Sequence, residues 1–492
     1  MSGPGPGRGA RALRATWLAC LLLGLLLAPG FNSFESPDDP TVLALTRHGH
    51  LWVDRDSGGI YHTGVDGRVY TVHELGSILF AAPFALAAEP VSRATGVAFK
   101  RVYGVALGFA SAALFATTVL LLLLLGERLG AHPGDLRPRL LVLLLASQYL
   151  VYATSPSDVS LAAPLLAGGA LAWQCGEEDG RPGAWLLAGL LGGLLVAVKL
   201  TMATAAAMLV VLGLSRLRGR RAGLRDLGLV AAGLVPGLAL AAAWNALRTG
   251  SPLAVPYPPA VHGFRLSLTA AGIASALLSP GKGMLVYTPA LLLAPWAVLR
   301  RGTLARHWRL AALVAGSWAV ALVRIAGTVG GTSWGGWGNR YYVPWVPLFV
   351  LAVAVRWSAS AATRRAGAGA LRVALWALAA AGLVVNVAGI VTNQMYRQQL
   401  CGYGDWQVHG MNLCAVEALP ANLARTAGAA IPDVVVPGAS AANVFASNRL
   451  ALWWYAARAF GLPPAASWAL GLACAAGALL AWRRASRREA AP

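Results

Sequence analysis

Charged side chains are scarce in this sequence. Asp, Glu, Lys and Arg make up 12% of its 492 residues, against about 25% in an ordinary soluble domain. A chain that is 57% apolar cannot cover a water-soluble globule with so few charges, so a single soluble domain is excluded. Acidic residues are rarer than basic ones, 19 against 40. Cysteine is nearly absent: there are five, with no CxxC or HExxH spacing, so no metal framework is legible. No GxxxxGK[ST] loop occurs either, which argues against a nucleotide-driven pump.

What the chain does have is long apolar runs, such as Leu120 to Leu125 and Leu140 to Leu145. Stretches of near-membrane length without charge read as spanning helices. About twelve are expected, near 15–31, 102–125, 140–153, 159–173, 184–198, 201–214, 227–244, 284–299, 310–326, 341–355, 373–391 and 465–482. Several fall short of the roughly 20 residues a perpendicular helix needs, so broken or tilted spans are expected among them. The fold class is therefore an all-α polytopic membrane protein with exoplasmic loops and interfacial helices. The first run follows Arg8, Arg11 and Arg14; it reads as an uncleaved first span, with a signal peptide as the alternative.

The formal charge of +21 would suggest nucleic acid in a soluble protein. Topology accounts for it better. The tails and the segments 126–139, 174–183, 215–226, 300–309 and 356–372 carry 24 of the 40 basic residues. By the positive-inside rule both termini lie in the cytoplasm of a multi-pass plasma (inner) membrane protein. No nucleic-acid partner is expected.

Three outer segments are then too long to be turns: Asn32 to Arg101, Asn245 to Gly283 and Thr392 to Pro464. Long loops are where function concentrates. An interfacial helix is expected at Gly76–Ala88. The chain divides into a transmembrane module over 1–391, whose first exoplasmic loop is 32–101, an exoplasmic loop region over 392–464, and a last helix with a basic tail over 465–492. Cys401 and Cys414 share the third loop, in a compartment that permits a disulfide.

The acidic residues fall in loops or at span ends rather than at mid-membrane, where a secondary transporter would place its ion relay. Adjacent carboxylates Asp38 and Asp39, in NSFESPDDP, can supply a general base; the plain alternative is a solvated turn between Pro37 and Pro40. Arg340, Lys199 and Lys282 sit near exoplasmic span ends, as do Lys100 and Arg101, the weaker pair; the plain alternative is snorkelling flank residues. Trp334, Trp337, Trp453 and Trp454 either stack on a ligand or form an interfacial aromatic belt. His48, His50, His62 and His73 show no tight ligand spacing, so no metal is expected.

The first loop, with DDP, HGHLWVD (48–54) and DGRVYTVHELGSILFAAPF (66–84), resembles the first exoplasmic loop of bacterial GT-C membrane glycosyltransferases. The layout is that of the polyprenol-phosphate-sugar-dependent mannosyl- and aminoarabinosyltransferase-like group. GLLGGLLVAVKLTMA (189–203), SPGKGMLVYTPALLL (279–293), SWGGWGNRYYVPWVPLF (333–349) and NRLALWW (448–454) are similar to stretches of that group in the same order. The resemblance implies a GT-C-like fold and an inverting transferase without a cofactor. Its partners would be a polyprenyl-phosphate-linked sugar and a glycan, lipid or protein acceptor. Asp38 or Asp39 would be the base, Arg340, Lys199 and Lys282 would bind the donor phosphate, and His73 and Glu74 would line the acceptor or sugar pocket with Trp334 and Trp337. A transporter or flippase of a lipid-linked saccharide is the alternative.

Overall fold

The computed structural model describes residues 6–28, 39–53, 61–155, 157–217, 221–254, 256, 264–298, 301–329, 339–362, 368–392, 413–435 and 441–490. The protein is all-α and polytopic. Among the described residues nine helices are long and apolar enough to cross a membrane, and four shorter apolar helices accompany them. Helix α1 (Pro6–Leu27) is followed by α2 (Asp39–His48), a hairpin of β1 (Tyr61–Thr63) and β2 (Val69–Thr71), α3 (Leu75–Thr95) and α4 (Phe99–Arg128). Then come α5 (Pro133–Leu145), α6 (Tyr149–Ala153), α7 (Asp158–Asp179), α8 (Pro182–Val198), α9 (Ala203–Ser215) and α10 (Arg221–Thr249). The second half comprises α11 (Leu266–Leu278), α12 (Met284–Tyr287), α13 (Ala294–Val298), α14 (Arg301–Ala311), α15 (Ser317–Val329), α16 (Val346–Ala362) and α17 (Ala368–Val391). Four more close the chain: α18 (Leu413–Thr426), α19 (Ala441–Asn448), α20 (Trp453–Ala456) and α21 (Pro464–Ala490).

The twelve expected spans overlap helical segments; of the short ones, 159–173 and 184–198 lie in unbroken helices and four others are interrupted. The run 140–153 breaks between α5 and α6, and 284–299 passes through a 3₁₀ segment at Pro289–Leu293. The run 310–326 contains a π turn at Ala312–Gly316, and a 3₁₀ turn at Arg340–Trp345 precedes α16. Prolines 289 and 344 lie in two of these breaks, where the missing amide donor stops a regular helix.

Helix α3 is long and apolar enough to span, yet it does not cross the bundle. Its first turn meets the C-terminal end of α8, where Ser77 Oγ donates to Val198 O at 3.1 Å. Only three residues separate its last residue, Thr95, from the start of α4, so both ends of α3 lie at one end of the bundle. A helix thus covers the expected 76–88 and extends beyond it, over Leu75–Thr95. The outer segment 245–283 is less of a loop than expected, because α10 continues to Thr249 and α11 packs on α15 through Gly272 against Ala326. Apolar periodicity alone does not separate a 13-residue packing helix from a buried loop segment.

Two glycine-lined contacts set the helix spacing around the site. Helices α8 and α10 run parallel in close contact: a Cβ on Gly189, Gly193 or Gly237 would overlap the backbone of Val230, Leu234 or Gly193 respectively. Small residues allow such approach where lipid supplies no hydrophobic drive between helices. At the top of α8, a Cβ on Gly76 would lie 2.7 Å from Ala197 O. These contacts put the ends of α3, α8 and α10 side by side.

Candidate functional site

The site is assembled where helices stop. Helix α7 starts with a reciprocal cap: Ser157 Oγ accepts from Ser160 N and Ser160 Oγ accepts from Ser157 N, each at 3.1 Å. Asp158 is the first helical residue, a position where a carboxylate is favoured by the helix dipole. Helix α8 ends opposite, because Lys199 leaves it with extended backbone (φ −152°, ψ 106°) before a 3₁₀ turn at Leu200–Met202. Lys199 Nζ then forms an ion pair with Asp158 Oδ2. The lysine is only 5% exposed, so removing its partner would strand a buried charge.

Glu74 joins the pair from the first loop. It sits at the N-terminal cap of α3, and its Oε1 accepts from Leu200 N at 3.4 Å. Burial pushes the Glu74 carboxyl above its ordinary range, and the nearby Asp158 charge pushes it the same way; Lys199, His73 and Arg248 act against this. Arg340 arrives on the 3₁₀ turn before α16. That turn is anchored by Trp345 Nε1, which donates to Ser317 Oγ at 2.9 Å, while Tyr342 and Trp345 are fully buried. Its neighbour Tyr341 receives two cations: the Arg340 guanidinium carbon lies 5.4 Å from the ring centroid and Lys199 Nζ 5.8 Å. Two of the three expected phosphate-binding cations therefore meet about one aromatic ring.

The third, Lys282, is 1% exposed but belongs to another turn. Its amide donates to Ser279 O at 3.2 Å, and Tyr287 Oη donates to Pro280 O and Gly281 O. Lys100 and Arg101 are exposed in the first turn of α4. The carbonyl of His73 accepts from Trp244 Nε1 at 2.9 Å and from Arg248 Nη1 at 3.1 Å, so the segment before Glu74 is tied to the end of α10. Asp39 opens α2, but its side chain, together with Asp38, Trp334, Trp337 and Cys401, lies outside the described residues, as does the side chain of Cys414. Neither the expected base nor the expected disulfide can therefore be placed. Helix α2 itself is placed, with Val42 buried against Ile78 and Tyr103 in one apolar cluster.

Trp453 and Trp454 fasten the end of α1. Trp453 Nε1 donates to Leu25 O at 2.6 Å, Trp454 Nε1 to Leu26 O at 2.9 Å, and Trp453 N to Ala28 O at 3.0 Å. They satisfy carbonyls left over at the end of α1. His50 stacks on Trp52 at 4.0 Å and His62 pairs with Tyr70 across the hairpin. Among the described residues no three His, Cys, Asp or Glu side chains are placed to hold a metal.

Two contributors were missed in the sequence. Asp158 falls just outside the expected span 159–173, although the S-x-x-S cap beside it marks a helix start. Arg248 is 2% exposed; it donates to Thr71 O at 3.0 Å, His73 O and Asn245 Oδ1, with its guanidinium 4.7 Å from the Trp244 ring. Only its partners' arrival from the first loop makes it a clamp.

The fold and site define a polytopic all-α membrane protein with a buried, charge-bearing junction at one end of its bundle. No family model matches the chain, and no curated protein matches it. Two crystal structures of ArnT from Cupriavidus metallidurans are similar to it. The apo form is 12% identical with a TM-score of 0.49, covering 96% of this chain and 77% of that one. The form bound to undecaprenyl phosphate is 13% identical with a TM-score of 0.46, covering 94% and 77%.

Proposed function

We propose that this protein is an inverting glycosyltransferase that moves a sugar from a polyprenyl-phosphate donor to an exoplasmic glycan, lipid or protein acceptor. The reading rests chiefly on the meeting of Lys199 and Arg340 about Tyr341, beside the carboxyl groups of Glu74 and Asp158. It is supported by the ordered resemblance of the first loop, the α8–α9 segment and the turn before α16 to polyprenyl-phosphate-sugar-dependent transferases. The orientation follows the arginine distribution, which puts this end of the bundle outside.

In this reaction the acceptor hydroxyl oxygen attacks the anomeric carbon from the face opposite the phosphate. The bond from that carbon to the phosphate oxygen breaks, and polyprenyl phosphate leaves with the electron pair. The hydroxyl proton passes to Asp38 or Asp39. Negative charge grows on the departing phosphate, and Arg340 and Lys199 stabilise it most at that moment, which is what lowers a barrier. A guanidinium can grip two phosphate oxygens at once. Asp158 holds Lys199 in place.

The test is transfer by the purified, reconstituted protein from a radiolabelled polyprenyl-phosphate sugar. Asp38→Asn with Asp39→Asn is expected to abolish release of free polyprenyl phosphate while the thermal melt stays unchanged. Undiminished turnover would reject the base assignment. Intact labelled lipid moved between leaflets, with no phosphate released by the unaltered protein, would identify a flippase instead.

A further inference from the structure

At the other end of the bundle lies a cavity of about 310 Å³ that the transferase reading does not use. It opens between the end of α4, the start of α5, α14 and the second half of α16. Its lining changes character along three helices in the same sense. Arg356 and Ser358 lie toward the end of α16, whereas Leu348 and Leu351 lie deeper. On α14, His307 is outermost and the chain then leads to Leu310 and Val314. On α4, Leu125 is deep, and the chain runs outward to His132 and Asp135 at the start of α5. Polar groups thus gather at the mouth and apolar ones toward the middle of the bundle.

The mouth favours an anion. Asp135 is answered by Arg139 at 3.1 Å, so its charge is compensated within its own helix. Arg356 contributes a guanidinium held 4.8 Å from the Trp296 ring, and His132 and His307 add donors. His307 also interrupts its helix, with φ −121° and ψ 32°, and its Nδ1 lies 3.0 Å from Gln174 Nε2. One turn of π helix, Ala312–Gly316, follows directly and lends Val314 and Ala315 to the wall. Such turns cluster at functional sites because they re-aim side chains within a helix. The volume is at the lower end for a ligand pocket, suited to part of one acyl chain.

We infer that this cavity binds an anionic glycerophospholipid of the adjoining leaflet, one acyl chain between α4, α14 and α16 and the phosphate at Arg356. The inference is independent of the reaction proposed for the opposite end. Charge complementarity at the mouth favours an anionic lipid over a zwitterionic one, and the apolar depth requires a chain rather than inorganic phosphate.

The test uses the full-length protein in detergent, titrated with dioleoylphosphatidylglycerol or dioleoylphosphatidylcholine and read by native mass spectrometry. One phosphatidylglycerol is expected to be retained preferentially. Arg356→Gln should weaken that retention at least fivefold and erase the preference, and Ala352→Trp should fill the cavity and abolish it. A phosphatidylglycerol carrying a diazirine in its acyl chain, photolysed on the unaltered protein, should label 307–315 and 348–352; this arm does not depend on any variant folding. Equal retention of the two lipids, labelling confined to other helices, or displacement of phosphatidylglycerol by equimolar undecaprenyl phosphate would overturn the assignment.

Discussion

Lys199 and Arg340, 141 positions apart in the chain, approach the same ring: Tyr341 lies 5.8 Å from the lysine Nζ and 5.4 Å from the guanidinium carbon. The aromatic ring helps two cations approach one point, since each is attracted to the ring's electron-rich face, and Asp158 offsets the lysine charge. Each such contact is worth about 0.5–2 kcal/mol. Tyr341→Leu is therefore expected to raise the apparent donor KM roughly tenfold in reconstituted transfer. Tyr341→Phe, which keeps the ring, should stay within about twofold. Equal loss in both variants would make the phenol hydroxyl the relevant group.

The ion pair between Lys199 and Asp158 separates stability from function. Lys199→Met strands a partly buried carboxylate and should cost about 3–5 kcal/mol, read as an earlier thermal melt in detergent. Lys199→Met combined with Asp158→Leu removes both charges and should recover most of that stability. Transfer should stay lost in both. A double variant that melts normally and retains turnover would remove Lys199 from the reaction.

Arg248 fastens the first loop to α10. Arg248→Met leaves the carbonyls of Thr71 and His73 and the Asn245 amide oxygen short of its donors. With hydrogen bonds from a charged donor worth about 1.5–3 kcal/mol each, the hairpin and the start of α3 should loosen. Faster backbone hydrogen exchange over 61–77 is expected, with smaller change in α4 and α7. Uniform exchange across the chain would show that Arg248 supports the bundle generally rather than this loop.

Glu74 gives the site a pH dependence of predictable sign. Its folded carboxyl binds a proton more tightly than it would in the unfolded chain, because burial and Asp158 disfavour the ionised form. The term is absent below the ordinary carboxylate value. Stability falls as pH rises from there through the raised folded value. Melting temperatures of the unaltered protein should show that decline, and Glu74→Gln should flatten it. A steeper decline in the glutamine variant would reverse the assignment.

How much of this was readable beforehand differs between levels. Twelve helical segments could be placed because desolvating an uninterrupted apolar run demands internally satisfied backbone, whatever its neighbours. Lys199 and Arg340 could be chosen as cations at span ends, because a charge at such a place is costly and calls for a reason. Asp158 and Arg248 could not: nothing local distinguishes a carboxylate at a helix start, or an arginine at a helix end, from solvated flank residues. Trp453 and Trp454 were legible as interfacial aromatics, but their role at the carbonyls of Leu25 and Leu26 joins positions more than 400 residues apart.

The amino-acid order by itself determined that this is a polytopic helical membrane protein, since composition, run length and charge spacing act residue by residue through transfer from water. Tertiary structure alone decided that α3 returns to the end of the bundle where it began, that Glu74, Asp158, Lys199 and Arg340 converge, and that the opposite end encloses a cavity. Those outcomes depend on which helix faces pack, through contacts such as Gly193 on Leu234 and Gly76 on Ala197, and such pairings are properties of two distant segments together.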